Sequence, residues 1–338
     1  MLLGIAPVRI SFAGGGTDMP EYYDEFGGNV VTTCISRNTY VFLTARNDSH
    51  FQVFSSDFQV HSKPVTYKNL KSEKGTELVV SVLKYLKYKD GANLMISSDV
   101  PAGSGLGASS TLAVNLINTI SKLQNKNLGN HKIAEMASHI SRNVLNWPIG
   151  KQDEYIAAFG GFNFIKFEKN NVKVTPININ KSTLQELQNN LVLFFIGNTR
   201  SSSDILIKQT QRLKNRNNET LNSLHFVKEL ALEMYHSLKN SDITHFGKLL
   251  NDGWEAKKKF TAEISNQRID DIYDSAIKNG ATGGKLTGAG GGGHLLFYCD
   301  PTKKKGLIEK MNSFGLIHIP FNFTGRKKVH NLYDYSKM

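Results

Sequence analysis

PAGSGLGASST, residues 101–111, is the stretch on which the reading of this chain turns. Ahead of it, Asn93 to Ser97 reads as a strand, and behind it residues 106–124 read as a buried helix. Gly103, Gly105 and Gly107 let the backbone turn tightly and approach a ligand with no Cβ in the way. The helix that follows starts with unbonded N–H groups and the positive end of its dipole, which favour an anion. The run Gly103, Ser104, Gly105, Leu106, Gly107, Ala108, Ser109 and Ser110 therefore reads as a phosphate cradle, and a β-branched side chain at Gly107 is expected to fill the phosphate space.

Two other phosphate loops compete with that reading. A Walker A loop needs Gly-Lys-Ser/Thr, yet Gly284-Lys285 runs into Leu286. Gly103-x-Gly105-x-x-Ala108 satisfies the relaxed dinucleotide fingerprint. The acid expected about 20 residues further on is absent, since LQNKNLGNHK at 123–132 holds no carboxylate.

Two more glycine clusters flank the first. Lys285 to His294 carries glycines at 288 and 290–293, more than a hairpin needs, which calls for a ligand or another backbone very close by. At the start of the chain, a strand with Arg9 among apolar residues ends in Gly14, Gly15, Gly16, Thr17 and Asp18. A further loop, Pro148 to Tyr155, holds a candidate base, Asp153. Taken singly, an Arg on a strand or an Asp in a loop is as well explained by an ion pair or a turn.

The surrounding pattern is α+β. Residues 3–12, 29–36, 39–46 and 50–56 read as strands, followed by a helix near 76–88 and another over 131–145. Strands near 161–167 and 171–176 close the first half. From Asn190 the pattern restarts with a strand at 190–198. Helices follow at 202–215, 218–238, 241–262 and 268–279, then strands at 281–286 and 293–299, a helix at 302–312 and a strand at 316–323. Polar residues break both periodicities between Pro176 and Lys181, which suggests domains at 1–178 and 179–338.

With 338 residues and 40% hydrophobic content the chain can bury a substantial core. No apolar run approaches the roughly 18 residues that span a bilayer, and the early Arg9 interrupts what would be a signal peptide. Two cysteines, Cys34 and Cys299, fit a reducing compartment, so a cytoplasmic protein with no membrane partner is expected. The net charge of +12 is spread over separate runs, Lys257 to Lys259 among them, that read as solvated faces. No stripe of interleaved basic and aromatic residues speaks for nucleic acid.

Together the segments resemble the GHMP kinases, in order and over the whole chain. Residues 101–111 are similar to the family's phosphate loop, 6–18 to its N-terminal motif and 285–293 to its C-terminal glycine motif. Within the family the resemblance is closer to the D-glycero-D-manno-heptose 7-phosphate kinases and their relatives, fucose kinases included. It rests on RISFAGGGTD at 9–18, GKQDEYIAAFGGFNFI at 150–165 and Thr199-Arg200. The resemblance implies a two-domain α+β fold, with a first domain like ribosomal protein S5 domain 2, a ferredoxin-like second domain and the site between them. It implies an ATP-dependent, Mg²⁺-assisted sugar kinase acting on the anomeric hydroxyl of a heptose 7-phosphate. Asp153 would accept the hydroxyl proton, Arg9 would stabilise the transferring phosphoryl, and Ser109 would reach the metal. Gly15, Gly16, Thr17, Asp18, Arg200, Gly290 and Gly291 would meet the substrate, with Arg200 on its remote phosphate.

One departure stands out. The family carries a metal-binding Glu where this chain has Ser141, and an acid is common at the place of His139. The metal would then lean on water, Ser109 and phosphate oxygens, or on Glu135 or Glu154. Among the competing readings, a kinase for another sugar or a non-catalytic sugar sensor, the altered Ser141 favours the sensor, whereas the retained Asp153, Arg9 and glycines favour an active enzyme. A homo-oligomer stays open.

Overall fold

Apolar and β-branched residues dominate the first two long segments, which pair as antiparallel strands, Leu2–Ala13 and Gly28–Ala45. The computed structural model in which they are seen describes residues 1–197, 202–325 and 328–332. The second strand was expected as two. It stays continuous because its register slips between Pro7 and Arg9, where Ile35, Ser36 and Arg37 fall between the paired Cys34 and Asn38. It also changes partners, taking Phe162–Glu168 beside its first stretch and Ala92–Ser98 beside its second.

Among the described residues the first sheet has nine strands. The helix Ala108–Leu123 lies across it and buries Val114, Leu116, Ile117 and Ile120. Buried Asn115 on that helix donates to the carbonyls of Gly4 (3.1 Å) and Thr39 (2.9 Å), which fixes the helix, and with it the loop before it, over the two central strands. The helix Asn130–His139 runs on into a wide π turn, Ile140–Val144, rather than continuing to residue 145 as an ordinary helix. There the N–H of Leu145 bonds to the carbonyl of Ile140 at 2.9 Å.

The second sheet runs in the order Ala281–Leu286, His294–Cys299, Leu191–Phe195, Ile317–His318, all neighbours antiparallel. This is the ferredoxin-like order that the resemblance implied, with extra helices, Ser202–Lys214, Asn218–Lys239 and Phe246–Lys258, inserted after its first strand. Their caps are legible: Asn217 accepts from the N–H of Thr220 at 3.0 Å, and Asp300 stands before Pro301 at the start of Pro301–Ser313.

The two halves share a core. Val8, Ile10 and Phe12 of the first strand pack with Leu193, Leu230, Met234 and Phe246, and each such side chain contributes about 1.5–3 kcal/mol by leaving water. The chain also returns: Lys328–Asn331 pairs with the first strand, so a cut at 178/179 leaves one strand of the first sheet beyond it. The cleft between the sheets is thus held from both sides.

Candidate active site

Gly107 adopts the left-handed conformation (φ 73°) directly before the helix Ala108–Leu123, and no acid occupies that helix's first turn. A Cβ at Gly107 would lie 2.9 Å from Asp153 Oδ2 and 3.3 Å from Arg9 Cζ. A side chain here would therefore meet the ion pair beneath it, and Gly107 also borders the cleft. The second glycine cluster meets the first: a Cβ on Gly288 would be 2.4 Å from Gly105 Cα, and one on Gly293 would be 2.3 Å from the Ser104 carbonyl. Beside them His294 bonds through Nδ1 to the Ser104 oxygen at 2.8 Å. Burial pushes this imidazole down to about 4, against a smaller rise from that bond, so it is neutral and donates.

The ion pair is bidentate. Arg9 Nε donates to Asp153 Oδ1 and Nη2 to Oδ2, both at 2.6 Å, while Nη1 donates to the Gly105 carbonyl at 2.6 Å. Their side chains are 5% and 20% exposed, and both border the cavity, the carboxylate more openly. Nearby, Asp18 is buried and accepts from the N–H of Gly16 (2.9 Å), the N–H of Gln152 (3.1 Å) and Gln152 Nε2 (3.2 Å). Burial raises its pKa, amide donors pull it back, and the charge of Asp153 raises it further.

Two lysines that the sequence reading left out of the site also line the cavity, Lys257 and Lys285. Lys257 donates to the Gly288 carbonyl and lies 3.5 Å from the Leu286 oxygen, and Lys285 donates to the Phe12 oxygen at 3.0 Å. Burial, then the charge of Arg9, brings Lys257 down to about 7, with Asp18 acting against them. Burial, then Lys257 and Arg9, holds Lys285 well below the usual lysine range. The signal for Lys257 was present in its spacing: it falls on the buried stripe Leu250, Trp254, Lys257, where a cation is out of place on an apolar face.

The carboxylates considered for a metal separate cleanly. Glu135 is engaged by Lys151 Nζ (3.2 Å to each oxygen) and by the Tyr155 hydroxyl. Glu154 is fully buried and neither of its oxygens has a partner with hydrogen-bond geometry; Ser110 is near enough only to lower its pKa slightly. Burial and the Asp153 charge push this carboxyl up to about 8. Ser141 is buried in the π turn with its hydroxyl unpartnered. Among the described residues no group of three His, Cys, Asp or Glu could cage a metal. Glu154, buried away from the cleft wall, is not placed for a cation, and the exposed Ser109 fits a hard cation that keeps water and phosphate oxygens as its main ligands.

A cleft of about 1050 Å³ gathers most of the expected residues: Arg9, Gly15, Gly16, Asp18, Asp153 and the loop from Gly103 to Ser110, Leu106 excepted. The Leu106 side chain is in the shared core, and only its carbonyl takes part, accepting from the N–H of Arg9 at 3.1 Å. Thr17 is a correction: its buried hydroxyl bonds the Gly14 carbonyl (2.7 Å) and the Asn29 carbonyl (3.0 Å), leaving it off the cavity wall. Gly290 and Gly291 are another: a Cβ on Gly290 would be 2.9 Å from Ile264 Cα, and the Gly291 N–H donates to the Ile264 carbonyl at 2.9 Å. Gly288 and Ala289 face the cleft in their place. Thr199, Arg200 and Ser201 lie outside the described residues. Gln152, Gln209, Phe260 and Trp147, which the sequence reading did not single out, complete the wall.

Comparison with known proteins gives the following. Residues 77–161 match the family description GHMP kinases N terminal domain, and residues 234–316 match GHMP kinases C terminal. The D-glycero-alpha-D-manno-heptose 7-phosphate kinase of Campylobacter jejuni is 35% identical over 324 residues, covering 94% of this chain and 95% of that protein. The L-fucokinase/L-fucose-1-P guanylyltransferase of Bacteroides fragilis is 27% identical, covering 91% of this chain but 35% of that longer protein. The crystal structure of a D-glycero-D-manno-heptose 1-phosphate kinase from Bacteroides thetaiotaomicron superposes with a TM-score of 0.84 at 26% identity, covering 99% of this chain and 100% of that one.

Proposed function

This chain belongs to the GHMP kinases, phosphotransferases with an alcohol group as acceptor, and from that premise we propose that it phosphorylates the anomeric hydroxyl of D-glycero-D-manno-heptose 7-phosphate at the expense of ATP. The observation that carries the choice of acceptor is the 35% identity to a heptose 7-phosphate kinase along nearly the full length of both chains. The product, a 1,7-bisphosphate, would serve nucleotide-sugar synthesis.

The residues have these roles. Asp153 accepts the proton of the attacking hydroxyl: each of its oxygens keeps a lone pair beyond the one taken by Arg9. Arg9 aims that carboxylate and still has one N–H on each terminal nitrogen for phosphoryl oxygens. The unbonded amides at the start of the helix Ala108–Leu123 hold the triphosphate. Family members use ATP generally with Mg²⁺, which neutralises phosphate charge when bound. Ser109, exposed at the start of that helix, is the group of this chain fitted to hold it. Asp18, fixed by Gly16 and Gln152, presents its carboxyl to sugar hydroxyls. Arg200 on the remote phosphate belongs to the same proposal.

A coupled assay of ADP release tests this with heptose 7-phosphate, heptose 1-phosphate, free heptose, L-fucose and D-galactose. The 7-phosphate should give the highest kcat/KM, with phosphorus NMR locating the new phosphate on C1. Equal or better turnover of heptose 1-phosphate or of a free sugar overturns the acceptor assignment.

A further inference from the structure

Beside the exposed Lys74, three buried cationic side chains line the cleft, and of these three only one has an anionic partner. Arg9 is neutralised by Asp153. Lys257 and Lys285 are buried, both border the cavity, and among the described residues neither has a carboxylate within salt-bridge reach. Their ammonium groups end on main-chain oxygens, Lys257 on Gly288 and Leu286 and Lys285 on Phe12. A buried ammonium satisfied only by carbonyls is under-neutralised, and two of them beside an arginine form a field that an incoming anion relieves.

The two lysines differ in what they can do. Lys285 sits within the strand Ala281–Leu286 and is tied to the first strand, so its Nζ is held in place and links the two halves. Lys257 projects from the last turn of the helix Phe246–Lys258 toward the glycine loop at Gly288, itself on the cavity wall. It can swing from carbonyl to ligand by rotation of its own side chain.

We propose that Lys257, backed by Lys285, is the seat of a phosphate group in the cleft, opposite the helix that starts at Ala108. This deepens the kinase reading above and rests on it. The ligand chemistry is a terminal phosphate dianion, carried either by the nucleoside triphosphate or by the phosphorylated sugar. Arriving there, it takes the ammonium protons from the Gly288 carbonyl and relieves the repulsion among the three cations. The Lys257 ammonium, brought down to about 7 by burial and then by the Arg9 charge, is the kind of group an arriving anion stabilises, and the charged groups facing it are Arg9, Asp18 and Lys285.

The test is calorimetry of four probes, each with Mg²⁺: adenylyl imidodiphosphate, ADP, heptose 7-phosphate and free heptose, on wild type, Lys257→Met and Lys257→Arg. Lys257→Met should weaken one phosphate-bearing probe by about tenfold or more relative to its phosphate-free counterpart, and Lys257→Arg should restore most of it. A loss confined to the imidodiphosphate against ADP assigns the seat to the donor; a loss confined to heptose 7-phosphate against heptose assigns it to the acceptor. A folded Lys257→Met that binds all four as wild type does, or loses all four equally, overturns the proposal. Should Lys257→Met not fold, buffers of different ionisation enthalpy at pH 8 decide the matter. Wild type should take up a proton with the seated ligand and Lys257→Arg should take up less, and equal uptake by the two overturns the proposal. If neither heptose compound binds, the acceptor assignment fails while the nucleotide pair still tests Lys257.

Discussion

In the loop 101–107 the glycines border a cleft and the last of them covers an ion pair; in the loop 288–293 they mostly face another backbone. A Cβ on Gly107 would touch Asp153 and Arg9, whereas one on Gly288, Gly290 or Gly293 would touch the main chain at 105, 264 or 104. As sequences the two loops look alike, and both invite the reading of a ligand cradle. The difference teaches that a run of glycines reports a close approach without saying what approaches. Gly105 and Gly288 share both duties, since they bring the two loops together and border the cleft, while Gly107 covers the ion pair and Gly290 packs on Ile264.

The sharpest test of that division is Asp153→Asn, which keeps the shape beneath Gly107 and removes the charge. Loss of a general base typically lowers kcat about 10²–10⁴-fold. Nucleotide affinity, held by the amides of the first loop, should change little. A variant turning over at the wild-type rate would sink the base assignment and leave Gly107 guarding a purely structural pair.

Comparing Gly107→Ala with Gly288→Ala breaks the comparison more directly. Both glycines have positive φ, 73° and 71°, so each substitution carries about 1 kcal/mol of backbone strain. At Gly107 the new methyl displaces the carboxylate by a few tenths of an ångström, and misplacement of a base is expected to lower kcat about tenfold or more. At Gly288 the new methyl, 2.4 Å from Gly105 Cα, must push the two loops' main chains apart, which should cost about 1–3 kcal/mol of stability in addition. Melting curves and kcat measured side by side should therefore separate: turnover falls more in Gly107→Ala, melting temperature more in Gly288→Ala. The reverse ranking would mean that the two loops have been assigned the wrong way round.

The sequence made the fold legible because the periodicities and the glycine clusters all occur in one order that fits one architecture. It brought Arg9, Asp18 and Asp153 together only through the resemblance of their motifs to the family, since each taken singly reads as well as an ion pair or a turn. It missed Lys257 because a run of three lysines reads as a solvated face unless its helical phase relative to Trp254 is followed. It misjudged Thr17, Gly290 and Gly291 for a different reason. A hydroxyl or a glycine beside a binding residue can face either the ligand or the neighbouring strand, and only tertiary packing against Asn29 or Ile264 decides. The π turn at Ile140–Val144 was not anticipated, because its residues continue the helical apolar spacing and one wider hydrogen bond leaves that spacing unbroken.

The smallest expected effect concerns how each loop is supported, and there the comparison becomes one of opposite signs with pH. Behind the first loop, near Ser110, Glu154 has a folded pKa of about 8, raised by burial from its ordinary value of 4.5. The folded state thus binds the proton more tightly, and the stability this confers is complete below about 4.5 and is lost as pH rises through about 8. Beside the second loop, His294 has a folded pKa of about 4 against an ordinary value of 6.5, so its contribution is complete above 6.5 and is lost as pH falls toward 4. In wild type the two trends oppose each other between about 4.5 and 6.5, which hides both in a single melting curve. Difference curves separate them. Glu154→Gln keeps the shape but not the titration, so it should gain on wild type as pH rises, by about 1–3 kcal/mol at pH 8, and little at pH 5. His294→Gln should show the mirror image, comparing best with wild type at pH 4.5 and worst above pH 7, where the neutral imidazole donates to Ser104. Wild type and Glu154→Gln melting in parallel from pH 5 to pH 8 would mean that the carboxyl is ionised in the folded protein. Its two orphaned oxygens would then need a partner, and the first loop would rest on a buried charge instead of a buried acid.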